Sequence, residues 1–69
     1  MSESALGNHM RVFRAKKGLT QEKLAELAGV TRTTINFVEN EKWIPSALLA
    51  LKIARVFGVP FEEVFFLKD

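Results

Sequence analysis

The sequence predicts an all-α domain of five short helices. Three observations carry this. Apolar residues recur at helical spacing along most of the chain, glycines punctuate it at Gly18, Gly29 and Gly58, and no stretch alternates as a strand would. At 69 residues there is material for one domain and one core, and 48% hydrophobic residues suffice to fill it. No internal repeat or low-complexity segment interrupts the pattern.

Residues 1–7 are small and polar apart from Leu6 and read as a flexible N-terminal arm, leaving residues 8–69 as the single domain. Helix 1 covers residues 8–17. Asn8 is its cap, Leu6, Met10 and Phe13 form one stripe, and the basic Lys16 and Lys17 suit the negative end of its dipole before Gly18 stops it. Helix 2 covers residues 21–28 behind a Thr20 cap. Leu24, Leu27 and Ala28 face inward, and Gly29 ends it. Thr31 caps helix 3, which runs to residue 40. A connection holding Trp43 and Pro45 leads to Ser46, the cap of helix 4 over residues 47–57, with Leu49, Ile53, Val56 and Phe57 as its core stripe. Helix 5 covers residues 61–66; Pro60 opens it, where a missing N–H costs nothing, and Glu62 and Glu63 suit its first turn.

Composition removes several function classes. There is no cysteine and only one histidine, His9, so thiolate and histidine-cluster metal sites are excluded. No Gly-rich phosphate loop and no paired carboxylates suggest catalysis, so no enzymatic activity and no cofactor are expected. No apolar run approaches the roughly 20 residues of a membrane helix, and the first ten residues lack the apolar centre of a signal peptide. A cytoplasmic protein without membrane or small-molecule partners is the expectation. The net charge of +2 permits nucleic-acid binding without selecting it. The excess lies in residues 1–45, which carry seven Lys/Arg against five Glu.

The arrangement of helices 2 and 3 is more informative. Gly29, Val30 and Thr31 make a three-residue turn, which joins two helices steeply and lets the second project. At about 100° per residue, Ile35 and Val38 fall together with Thr31 between them. Arg32, Thr33, Asn36, Phe37 and Asn40 gather on the other side. An ordinary exposed face would alternate Glu and Lys. This one carries side chains that read base edges: Arg for guanine O6 and N7, Asn for adenine, Thr and Phe for the thymine methyl.

Thr20, Gln21, Glu22, Lys23, Leu24 and Ala25, then Gly29, Val30, Thr31 and Arg32, then Ile35 and Asn36, Glu39 and Asn40, and Pro45 and Ser46 resemble the phage repressor and Cro class of helix-turn-helix regulators, also called the xenobiotic response element family. The resemblance spans roughly residues 8–67. It implies a compact five-helix repressor-like DNA-binding domain whose helix-turn-helix is formed by helices 2 and 3. It also implies a homodimer on a palindromic operator in double-stranded DNA. By position, Gln21 resembles the residue that bonds a phosphate and braces the reading helix, Arg32 and Thr33 the first base readers, and Phe37 a reading position one turn on. Asn40, Lys42 and the backbone around Trp43 resemble the phosphate-holding segment, and Arg14 and Glu39 a helix 1–helix 3 ion pair. The expected DNA contacts are thus Gln21, Thr31, Arg32, Thr33, Asn36, Phe37, Asn40 and Lys42. Glu41 departs from the pattern. The family usually has glycine there, so Asn40 is expected to take the left-handed conformation, and the extra negative charge sits beside the phosphate segment. Phe37 is larger than usual; it either reads thymine methyls, folds against a neighbour or meets a protein.

The apolar surplus is the remaining signal. Leu48 and Leu51 lie off the core stripe of helix 4, and the tail reads Phe61, Val64, Phe65, Phe66 and Leu67. A chain this small can hardly bury all of these, and such patches mark interfaces. These seven residues are the expected dimer contact, placing two reading helices about 34 Å apart. A protein-interaction or antitoxin-type module of the same fold is the competing reading.

Overall fold

A computed structural model describes residues 5–68. The order of elements is β1 (Leu6–Asn8), α1 (Met10–Lys17), α2 (Gln21–Ala28), α3 (Arg32–Glu39), α4 (Ala47–Phe57), α5 (Phe61–Val64) and β2 (Phe65–Leu67). The five helices follow in the expected order, and α2 and α4 have the bounds that the apolar periodicity and caps predict. Thr20, Thr31 and Ser46 each accept a backbone N–H of the first turn, at 3.0, 3.2 and 3.0 Å. Gly18, Gly29 and Gly58 close α1, α2 and α4 in the left-handed conformation.

Two three-residue strands, which the sequence did not announce, are added to the five-helix architecture. β1 and β2 pair antiparallel with Leu6 opposite Leu67, Gly7 opposite Phe66 and Asn8 opposite Phe65. The second half of the expected flexible arm is therefore a paired strand, while residues 1–4 lie outside the described residues. The last helix stops at Val64 rather than Phe66, because Phe65 turns extended to meet Asn8. Gly7 is required here by close approach: a Cβ on it would collide with the Phe66 ring. The α1 cap is also one residue later than expected. His9 holds the cap position, and the Asn8 carboxamide oxygen accepts the Met10 N–H at 3.0 Å.

The core is Met10, Leu24, Ile35, Val38, Ile53, Phe57, Val64 and Phe65, closed by the small Ala25, Ala28, Ala50 and Ala54. Phe13 stacks on Phe57 with centroids 5.5 Å apart. Leu27, expected inside, is half exposed. Ala25 takes the inward place instead, and at helical spacing Leu24, Ala25 and Ala28 form the buried face. No helix among the described residues is long and apolar enough to cross a membrane.

Candidate DNA interface

α3 separates into two faces. Ile35 and Val38 are fully covered, pinning it to α2 and the core. Arg32 and Thr33 are exposed, and with Asn36 they border one shallow open depression. Arg32 makes no hydrogen bond or ion pair among the described residues, so its guanidinium is available to an outside acceptor. Thr31 ends the turn; its hydroxyl oxygen accepts the Thr34 N–H and lies 3.0 Å from the Thr34 hydroxyl.

A chain of polar contacts links three helices along this face. The Asn36 amide donates to Gln21 Oε1 at 3.3 Å, tying α3 to the start of α2. The Asn40 amide donates to the Asn36 carbonyl at 2.9 Å, and Asn40 Oδ1 accepts from Arg11 Nη2 at 3.3 Å. Arg11 Nε donates to Glu39 Oε2 at 3.1 Å. Arg14 holds the same carboxylate with two bonds, Nε to Oε1 at 2.8 Å and Nη2 to Oε2 at 2.9 Å, and donates Nη1 to the Leu19 carbonyl at 3.0 Å. The expected Arg14–Glu39 partners thus meet in a bidentate pair. Burial pushes the Glu39 carboxyl up, but the hydrogen bonds and charges of Arg14 and Arg11 outweigh it and hold it below the usual carboxylate range. Glu39 in turn raises the Arg14 guanidinium.

Two contacts around this network, one from Arg11 and one from Asn8, escaped the sequence reading. Arg11 stands three positions before Arg14, on the same face of α1, and that spacing was the available signal. Asn8 donates to the Val38 carbonyl at 3.1 Å, joining β1 to the last turn of α3. Nothing local in the sequence marks that contact.

The exit of α3 differs from expectation. Asn40 is not left-handed, with φ −89°. Glu41 takes that role at φ 62°. Its N–H bonds to the Val38 carbonyl at 3.0 Å, and the Lys42 N–H to the Phe37 carbonyl at 2.8 Å. These two bonds form a complete Schellman closure, so the glycine's geometry is kept without the glycine. The Glu41 carboxylate is drawn to Lys68 Nζ at 2.5 Å, which neutralises it. Phe37 packs edge-on against Trp43, centroids 4.8 Å apart, while Trp43 stays half exposed. Lys42 is exposed.

The residues expected at a dimer contact split. Val64 and Phe65 are buried within the chain, and the structure corrects their assignment: Phe65 stacks on Phe61 at 5.3 Å and both buried residues belong to the core. Phe61 is half-buried by the same stack. Leu48, Leu51, Phe66 and Leu67 remain exposed.

Comparison with known proteins agrees with this geometry. A helix-turn-helix family model matches residues 10–64. An uncharacterised HTH-type transcriptional regulator of Archaeoglobus fulgidus is 53% identical over 60 residues, which span 87% of this chain and 86% of that protein. The regulator YgzD of Bacillus subtilis, likewise uncharacterised, is 45% identical over 62 residues, 90% of this chain and 94% of its own. Among solved structures, the restriction-modification controller protein C.AhdI from Aeromonas hydrophila superposes with a TM-score of 0.74 at 35% identity, covering 78% of this chain and 82% of that one.

Proposed function

Since the chain belongs to the helix-turn-helix family of DNA-binding transcriptional regulators of the phage repressor and Cro class, we propose that it binds a palindromic operator as a homodimer, with α3 in the major groove. The observation that carries this is the two-faced α3. Ile35 and Val38 anchor it without residue to spare, and the opposite face presents an unpaired Arg32 beside Thr33 and Asn36. Arg32 takes guanine, Thr33 supports it through its hydroxyl or methyl, and Gln21 braces Asn36 from α2. Asn40 and Lys42 meet the DNA backbone at the exit of α3. Phe37 contributes mainly by seating Trp43, since the two rings already cover one another. Thr31 meets DNA at the turn, where its hydroxyl oxygen also caps α3. The protein acts by occupying DNA, without catalysing a reaction, in the compartment that holds the genome.

Selection from a random pool of duplexes tests the reading. A recovered palindrome with half-sites one helical turn apart is the expected result. On that sequence Arg32→Ala should weaken binding by about 1–3 kcal/mol and relax one base position in each half-site. Recovery of no common sequence would sink the proposal and favour a protein-binding module.

A further inference from the structure

Arg11 is the one charged residue of the network whose place there charge balance does not require. Arg14 alone makes two bonds to Glu39, one to each oxygen, and satisfies the buried carboxylate. Arg11 adds a second guanidinium to a single negative charge, leaving the Arg11–Arg14–Glu39 group with an excess positive charge. That excess is carried by the exposed member: the Arg11 side chain is 70% exposed against 17% for Arg14. Its Nε is fixed on Glu39 and one Nη2 hydrogen on Asn40, so the plane of the guanidinium is set while its remaining N–H groups face solvent.

Its position gives this excess a use. Arg32, Asn36 and Asn40 recur every four residues and so form one line along α3. Arg11 touches the last of them at the helix end, and Lys42, two positions further along the chain, is exposed. A duplex laid along that line brings its phosphate backbone past the exit of α3. A pre-oriented guanidinium with free donors matches a phosphate in charge and geometry. Resting on the DNA-binding reading above, we infer that Arg11 is a DNA-backbone contact: held by Glu39 and Asn40, its guanidinium grips a phosphate at the C-terminal end of α3.

Salt dependence of binding to a duplex of fixed sequence tests this, with parent, Arg11→Ala, Arg11→Lys and, as a control cation on α4, Lys52→Ala. One lost phosphate contact lowers the slope of log K against log salt by about 0.9, which is roughly a five- to tenfold loss near 0.1 M salt. Arg11→Ala is expected to show that loss equally on operator and unrelated duplexes. Arg11→Lys, which keeps the charge, should retain most of the slope, and Lys52→Ala all of it. A parent-like slope for Arg11→Ala overturns the inference and leaves the DNA-binding reading standing. So does an equal drop for Lys52→Ala, which would mean diffuse charge rather than a contact. A parent protein that binds no duplex overturns both. Thermal melting of each variant separates unfolding from lost contact, since Arg14 keeps both of its bonds to the buried Glu39 carboxylate when Arg11 is replaced.

Discussion

Glu39 gives up almost all contact with water, and three guanidinium N–H bonds, from Arg14 and Arg11, take its place. Removing a partner from such a pair costs more than the pair contributes, because a charge is left buried. Arg14→Ala should therefore destabilise the fold by about 3 kcal/mol, the low end of the usual range because Arg11 stays in place. For a domain this size that lowers the melting midpoint by on the order of 10–20 °C. Melting within a degree or two of the parent would show that the pair is not holding α3. The pH dependence has a definite sign. The folded state lowers the Glu39 carboxyl, so the folded protein binds that proton less readily than the unfolded chain. The contribution is complete above the ordinary carboxylate range and disappears as pH falls through the lowered folded value. Melting midpoints measured on acidification should fall more steeply for the parent than for Glu39→Gln, which has no charge to lose.

At the scale of elements, α3 owes its start and its exit to different chemistry. Thr31 supplies an ordinary cap, whereas Glu41 holds a left-handed backbone that a side chain disfavours. Glu41→Gly should stabilise the protein by about 1 kcal/mol, the cost of that conformation less the small contribution of the Lys68 pair. A denaturant midpoint equal to or below the parent's would contradict this. The helices were legible because their signals are local: Thr20, Thr31 and Ser46 in front, Gly18, Gly29 and Gly58 behind, apolar residues between. The strands were not. Three residues are too few to show alternation, and each strand exists only through a partner near the other end of the sequence. Phe65 and Phe66 continue the apolar run of α5, so nothing near them signals that the backbone turns extended. The same reason hid Asn8, whose carboxamide reaches an element thirty positions away. The anchoring face of α3 could be read from periodicity. The wiring behind it, through Arg11 and Asn40, depends on how α1 lies across the end of α3.

For the molecule as a whole, burial inside one chain has already absorbed Val64 and Phe65. What is left for a second copy is narrower: Leu48 and Leu51 on α4, and Phe66 and Leu67 on β2, with Leu67 82% exposed. Leu67→Lys leaves the core intact and should shift sedimentation equilibrium from dimer to monomer at tens of micromolar. It should also weaken operator binding, because each half-site is then bound alone. A parent protein that is monomeric at that concentration would remove the dimer from the proposal. A dimer indifferent to Leu67→Lys would move its interface to α4.

The β1–β2 pairing has a temporal meaning as well. It joins the two most distant segments of the described chain, so closing it demands the largest loop and comes after the local helices and their turns. Contacts made after the folding barrier is crossed affect how quickly a protein opens, not how quickly it forms. Gly7→Ala, which forces the Phe66 ring aside, should therefore leave the refolding rate near that of the parent and speed unfolding. Since Asn8 links this sheet to the last turn of α3, each opening of the clasp also releases one hold on the end of the helix proposed to enter the major groove. The residence time of the protein on an operator would then carry the imprint of a sheet only three residues long.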